Sequence, residues 1–321
     1  MEVYNDPCLR VNKGKLQLKN PVLSASGTFG YGKELESVAH PNYYGGLALK
    51  GITLKPRTGN TPPRLIEVPG GIINAIGLQN DGVRDFLEKK VLPLQEYDTA
   101  IIANINGIKE DDYCAIAEQL DGAPIDYIEI NVSCPNLEGG GVEFGKSAKS
   151  VGAIVKKVKA RTSIPLMLKL TPQVTDITEM VRTAEDNGID IITLINTYPA
   201  MAIDIEKKQP VLGNVVGGFS GPGVKPMAIR LIWEVRKVTN LPIVGMGGIC
   251  SWQDAVEFLL AGADAVAVGT WHFIEPDIAL KINKGFIGYM EKHGFKSISE
   301  IAGYTWRKQN EAKKNKHNCR A

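Results

Sequence analysis

A cysteine, two lysines and a set of asparagines stand where short apolar runs of this chain end. Cys134 lies in INVSCPNLEGGG (130–141), where Pro135 stops the preceding run and three successive glycines form a loop able to close over a ligand. A free thiol titrates near pH ~8.5, so a modest lowering makes it a general base at neutrality. A strand-end cysteine on its own is usually a small buried hydrophobe. The glycine-rich loop and the ligand-suited residues nearby favour the chemical role. The loop holds no histidine to make an acyl-transfer dyad, so proton abstraction is the preferred chemistry.

Lys50 and Lys169 close apolar runs, an expensive place for a cation unless an anion meets it. One such lysine could snorkel to water. Two around one mouth are better explained by an anionic cofactor or substrate, and a lysine beside an isoalloxazine would stabilise charge developing on reduction. Asn74, Asn131, Asn136 and Asn196 each offer a donor and an acceptor, which matches a ring of alternating N–H and C=O groups. Any one of them could equally serve a turn. Together they suit a pyrimidine-like ligand. GMGG (245–248) and VGT (268–270) let backbone N–H groups approach an anion such as phosphate.

Eight β-branched apolar runs carry these residues: 21–27, 46–51, 100–107, 127–134, 166–172, 191–197, 242–248 and 265–270. Their near-continuous hydrophobicity is that of parallel strands buried on both faces. Amphipathic stretches separate most of them, at 83–96 (with Pro93 as a kink or end), 111–120, 147–161, 175–187, 226–238 and 253–261. Such alternation predicts an α/β fold, a single (β/α)₈ TIM barrel. An N-terminal hairpin turning at Lys13-Gly14 precedes it, and insertions at 52–80 and 198–220 lie at its C-terminal mouth. An open doubly wound sheet would instead show one dominant Gly-rich turn near the start. In a barrel all C-terminal strand ends meet at that mouth. This gathers Ser26 and Gly27, Lys50, Asn104, Asn131 and Cys134, Lys169, Asn196 and Thr197, Gly247 and Gly248, and Gly269 and Thr270, strand by strand.

Composition narrows the setting. The net charge of +2 hides a basic tail, because residues 307–321 carry six Lys/Arg against one Glu. The other 306 residues therefore sum to about −3 (2 − 5), which gives no reason to expect nucleic-acid binding. The domain reading is a barrel over 1–306 and a flexible basic tail over 307–321. No apolar run approaches the ~18 residues that would suggest a membrane span, and the first residues, MEVYNDPCLR, lack a signal-peptide core. Five cysteines, Cys8, Cys114, Cys134, Cys250 and Cys319, are odd in number and lack CxxC spacing, as expected of reduced thiols in a cytoplasmic protein. They cannot form a ferredoxin-type cluster motif. Apart from Cys134 they read as structural or incidental.

Longer blocks of sequence are more specific. NPVLSASGTFGYG (20–32), LKGITLKPRTGNTPPRL (49–65), GGIINAIGLQNDGV (70–83), INVSCPN (130–136), LKLTP (168–172), LINT (194–197), GGFSGPGVKPMAIR (217–230) and VGMGGI (244–249) occur in this order. In them the chain resembles the class 1 dihydroorotate dehydrogenases, and most closely the 1B catalytic subunit. The resemblance implies an FMN enzyme that oxidises dihydroorotate to orotate in pyrimidine biosynthesis, with Cys134 removing the C5 proton while the C6 hydride passes to the flavin. It implies FMN contacts from Ser26, Lys50, Gly51, Asn104, Asn131, Lys169, Ile195, Gly221, Gly247, Gly248, Gly269 and Thr270. It assigns the substrate to Lys50, Asn74, Ala75, Ile76, Gly77, Leu78, Asn131, Asn136, Asn196 and Thr197.

By the same resemblance electrons reach NAD⁺ through a separate subunit carrying FAD and a [2Fe–2S] cluster, in a heterotetramer built on a homodimer. Class 1A enzymes, which use fumarate, share the cysteine base and most of these motifs. A related FMN barrel acting on another pyrimidine such as uracil shares the cysteine loop. A non-catalytic barrel binding a sugar phosphate through the last glycines is a reading of a different class. Trp271-His272 departs from the family pattern, where smaller residues are expected, and the basic tail is longer than the pattern implies.

Overall fold

Each of the eight apolar runs forms a parallel strand, and the eight close into one barrel in chain order. The computed structural model describes residues 2–132, 144–309 and 311. The strands are β1 (Val22–Ser24), β2 (Gly46–Ala48), β3 (Ala100–Ile105) and β4 (Tyr127–Asn131), then β5 (Leu166–Leu170), β6 (Ile191–Leu194), β7 (Ile243–Met246) and β8 (Ala265–Val268). All but a few of their residues are buried, because helices cover the outer face and side chains from all strands fill the interior. Register decides which polar residues meet inside. Asn104 on β3 pairs with Glu129 on β4, Asn131 on β4 with Lys169 on β5, and Lys169 with Thr193 on β6.

The covering helices are α1 (Glu110–Leu120), α2 (Ala148–Lys159), α3 (Ile177–Asp186), α4 (Lys225–Arg236), α5 (Trp252–Ala261) and α6 (Ile278–His293). Side-chain caps start three of them. Ser147 accepts from Ser150 N, Asp176 from Thr178 N, and Ser251 from Asp254 N. The stretch expected as one helix over 83–96 divides into an α turn (Gly82–Asp85), a π segment (Phe86–Lys90) and a 3₁₀ turn (Leu92–Glu96) that contains Pro93. Proline supplies no N–H to continue the α ladder. Helix α6 was not anticipated, although its buried face packs on α5 and β1. Residues 304–309 are also helical, and Arg307 donates to Glu300 O at 2.7 Å.

The N-terminal hairpin pairs Val11–Lys13 with Leu16–Leu18, so the turn is Gly14-Lys15, one residue later than expected, with Gly14 at φ 54. The two insertions are not separate decorations. Tyr198–Ala200 and Gly217–Ser220 from the second join Gly71–Asn74 and Leu65–Val68 from the first in one four-stranded antiparallel sheet. Its small core of Ile73, Ala75 and Leu212 is distinct from the barrel's. No helix among the described residues is long and apolar enough to cross a membrane.

Candidate active site

The barrel mouth and the inserted sheet enclose a cavity of about 280 Å³. That is close to the lower end of small-molecule sites, roughly 300–1,000 Å³. Every barrel strand can be followed to it. Ser26 and Gly27 line it after β1, Lys50 and Gly51 after β2, Asn104 from β3, Asn131 from β4 and Lys169 from β5. Ile195, Asn196 and Thr197 follow from β6, Gly247 and Gly248 from β7, and Gly269 and Thr270 from β8. The inserted sheet contributes Asn74, and the segments that follow its strands contribute Ile76, Gly77, Leu78 and Gly221. Ala75 is placed differently from the expectation: its side chain is fully buried in the sheet's own core and does not line the cavity. Cys134 and Asn136 lie outside the described residues.

Close backbone packing explains the glycines on one side of the cavity. A Cβ on Gly221 would come within 2.6 Å of Gly71 Cα, and one on Gly248 within 2.8 Å of Lys225 N. Gly247 and Gly248 also hold φ of 120 and 80, which side-chain-bearing residues rarely adopt. Thr270 donates from Oγ1 to Ser220 Oγ at 2.8 Å, tying the end of β8 to the inserted sheet.

Opposite in chemistry is the cationic and amide wall. The Lys50 amine has no hydrogen bond or ion pair among the described residues, and burial, with Arg64 nearby, holds it below the usual lysine range. Lys169 is 4% exposed, donates to Ser26 Oγ at 3.0 Å and lies 4.0 Å from Glu129. Asn131 Nδ2 reaches Asn104 Oδ1 at 3.5 Å, and Asn196 Nδ2 reaches Asn131 Oδ1 at 3.4 Å. Thr197 N donates to Asn196 Oδ1 at 2.8 Å, while Asn74 Nδ2 donates to Gly218 O at 3.2 Å.

Two features escaped the sequence reading. Glu129 is a buried charged residue inside an apolar strand, visible as the single acidic letter in YIEIN. Cys250, read as incidental, lines the cavity, yet burial pushes its thiol up to about 12, which keeps it protonated. Trp271 lines the cavity as well, with an indole N–H that is buried and without a partner among the described residues. His272, where the family pattern expects a smaller residue, is fully packed. Its ring is 3% exposed, with Tyr44 Oη 2.9 Å from Nε2 and Thr28 Oγ1 3.3 Å from Nδ1. Burial depresses its pKa to about 3, so the imidazole is neutral.

With this geometry in view, the family model described as dihydroorotate dehydrogenase matches residues 8–290. The chain belongs to the dihydroorotate dehydrogenase family. Three relatives named dihydroorotate dehydrogenase B (NAD(+)), catalytic subunit, illustrate the similarity. Those of Bacteroides thetaiotaomicron and Bacteroides fragilis are 49% identical over 298 residues, covering 92% of this chain and 98% of their own. That of Caldicellulosiruptor bescii is 48% identical over 295 residues, with the same coverage. FMN is the cofactor general to this family. The donor set fits such a group. An anionic phosphate needs close backbone approach, which Gly221, Gly247 and Gly248 permit, and a redox ring gains from a buried cation, which Lys169 supplies.

Proposed function

We propose that this chain oxidises dihydroorotate to orotate at the barrel mouth, with Cys134 as the base. The observation that carries this reading is that two lysines, three linked asparagines and a glycine cradle, distant in sequence, line one cavity in a chain of this family. Ser26, Lys50, Gly51, Asn104, Asn131, Lys169, Ile195, Gly221, Gly247, Gly248, Gly269 and Thr270 would hold FMN. Bound FMN supplies the two-electron acceptor for hydride leaving C6.

The chain's own residues do the rest. Lys50, lacking a partner among the described residues, meets the substrate carboxylate, which relieves the cost of its burial. Asn74, Asn131, Asn136, Asn196 and Thr197, with the 75–78 segment, present donors and acceptors to the ring and hold it still. The Cys134 thiolate takes the C5 proton, whose acidity comes from the adjacent carbonyl, and becomes the thiol. The relatives' name supports NAD⁺ as the final acceptor. We assign the relay to a separate subunit with FAD and a [2Fe–2S] cluster, docked to a homodimer of this chain in the cytoplasm.

The test is an anaerobic visible spectrum of the purified chain before and after adding dihydroorotate. The expected result is a flavin band near ~450 nm that bleaches. A band that persists would move the substrate to another pyrimidine. No flavin after reconstitution would overturn the reading.

A further inference from the structure

We infer that Glu129 is a positioning residue for the reaction: one buried carboxylate beneath the cavity fixes the direction of the asparagine chain and shares the charge of Lys169. The inference rests on the FMN-dependent reading above. Glu129 is 2% exposed and does not line the cavity. It gathers partners from three strands. Oε2 accepts from Asn104 Nδ2 on β3 at 2.5 Å, Oε1 accepts from Thr193 Oγ1 on β6 at 3.0 Å, and Lys169 Nζ on β5 lies 4.0 Å from Oε2.

A carboxylate with these neighbours only accepts, and this has a directional consequence. Asn104 must turn its NH₂ down toward Glu129, because the opposite orientation would set two oxygens against each other. Its Oδ1 is thereby turned away, where it accepts from Asn106 Nδ2 at 2.8 Å and Asn131 Nδ2 at 3.5 Å. Asn131 then offers Oδ1 to Asn196 Nδ2 at 3.4 Å, and Asn196 offers Oδ1 to Thr197 N at 2.8 Å. The polarity of the row is set at its buried end. Asn104, Asn131 and Asn196 all line the cavity, so the same carboxylate sets the direction in which their amides face it.

The second effect is electrostatic. With Glu129 the floor of the site holds a cation and an anion together. With a neutral side chain there, Lys169 would act on the cavity as an unshared charge at a 4% exposed position. Of the two flavin states, the reduced one, which carries more negative charge, would then be favoured.

Glu129→Gln and Glu129→Asp, measured as FMN-loaded proteins, test the two effects separately. In Glu129→Gln the preference for reduced over oxidised flavin rises about tenfold, a positive shift of about 30 mV in the two-electron potential. Orotate, titrated by its perturbation of the flavin spectrum, binds about tenfold more weakly once the amide row loses its fixed direction. Glu129→Asp keeps the charge but withdraws the carboxylate from Asn104. It should leave the potential at the wild-type value and still weaken orotate. A Glu129→Gln protein with a lower melting temperature but unchanged potential and orotate affinity would make Glu129 a structural residue and overturn the inference. Should that variant not fold, wild-type orotate affinity in Glu129→Asp overturns it alone. Wild-type protein that takes up no flavin would defeat the functional reading instead, so the two failures are distinct.

Discussion

Arg236 and Lys50 are cations at opposite ends of the same barrel, and their surroundings differ completely. Arg236, at the end of α4 on the N-terminal side, is 7% exposed and satisfied on every side. It donates to the carbonyls of Gly262, Thr239 and Leu241 at 2.8, 3.1 and 3.1 Å and to Asp264 Oδ2 at 2.7 Å. Asp264 in turn accepts from Ile243 N and pairs with Lys13 of the N-terminal hairpin. Lys50, at the mouth, has no such partner among the described residues. Burial disfavours both charges; at Arg236 the hydrogen-bonded carboxylate of Asp264 opposes that effect, whereas at Lys50 Glu34 opposes it only through space and Arg64 adds to it. A filled hydrogen-bond set tells of stability, and an unfilled one beside a cavity tells of a ligand.

The widest separation of the two ends comes from Cys134→Ser. Flavin reduction should fall by about 10²–10⁴-fold, the usual size of a general-base contribution, with FMN still bound and the melting temperature unchanged. Near-wild-type reduction at neutral pH, followed by stopped-flow absorbance, would remove Cys134 from the mechanism. The opposite signature is expected from Arg236→Ala. Leaving Asp264 buried without its guanidinium should cost about 3–5 kcal/mol in denaturant unfolding, while orotate affinity of the folded protein stays the same. A loss of orotate affinity there would break the division between ends.

Lys50→Met sharpens the comparison from the mouth side. Removing a charged partner of the substrate carboxylate should weaken orotate by about 10–100-fold, with no loss of stability. The pH dependence has a definite sign. Because the folded amine sits below its usual range, the unfolded chain binds the extra proton between the two values, and stability rises with pH there. Orotate binding should weaken as pH climbs through the folded value, and Lys50→Met should flatten that alkaline limb. An unchanged limb in a binding titration would assign it elsewhere.

His272 gives the smallest effect. With a folded pKa of about 3 against 6.5 for the free side chain, the unfolded state takes up a proton first as the pH falls. Stability should therefore drop below pH 6.5, by about 2 kcal/mol at pH 5. His272→Gln should remove that acid slope, as read from melting temperatures between pH 7 and 5. A variant with the same slope would mean that another group titrates there.

All eight strands, the (β/α)₈ class and most of the lining residues were legible in the linear sequence. Buried parallel strands must be apolar throughout, and the polar letters that end them must face the mouth, so YIEIN and LMLKL announce both their burial and their exits. The subdivision of 82–96 was less legible, because local periodicity does not report where the backbone relaxes from α to π and 3₁₀ turns. Helix α6 was overlooked although its pattern is helical.

Other features belong to the tertiary structure alone. That the insertions at 52–80 and 198–220 share one sheet depends on pairing across more than a hundred residues, such as Asn74 with Gly218. Gly218 is glycine because a Cβ there would lie 2.0 Å from Thr197 Oγ1, a contact no local pattern encodes. Glu129 reads in sequence as an odd charge in an apolar run. Only the barrel register places it against Asn104, Thr193 and Lys169. The sequence alone determines which apolar runs are buried and which polar groups they carry, since the burial of apolar side chains follows from their polarity. Which of those groups touch is decided by strand register and barrel closure, because hydrogen bonds and ion pairs act over a few ångströms and depend on three-dimensional position.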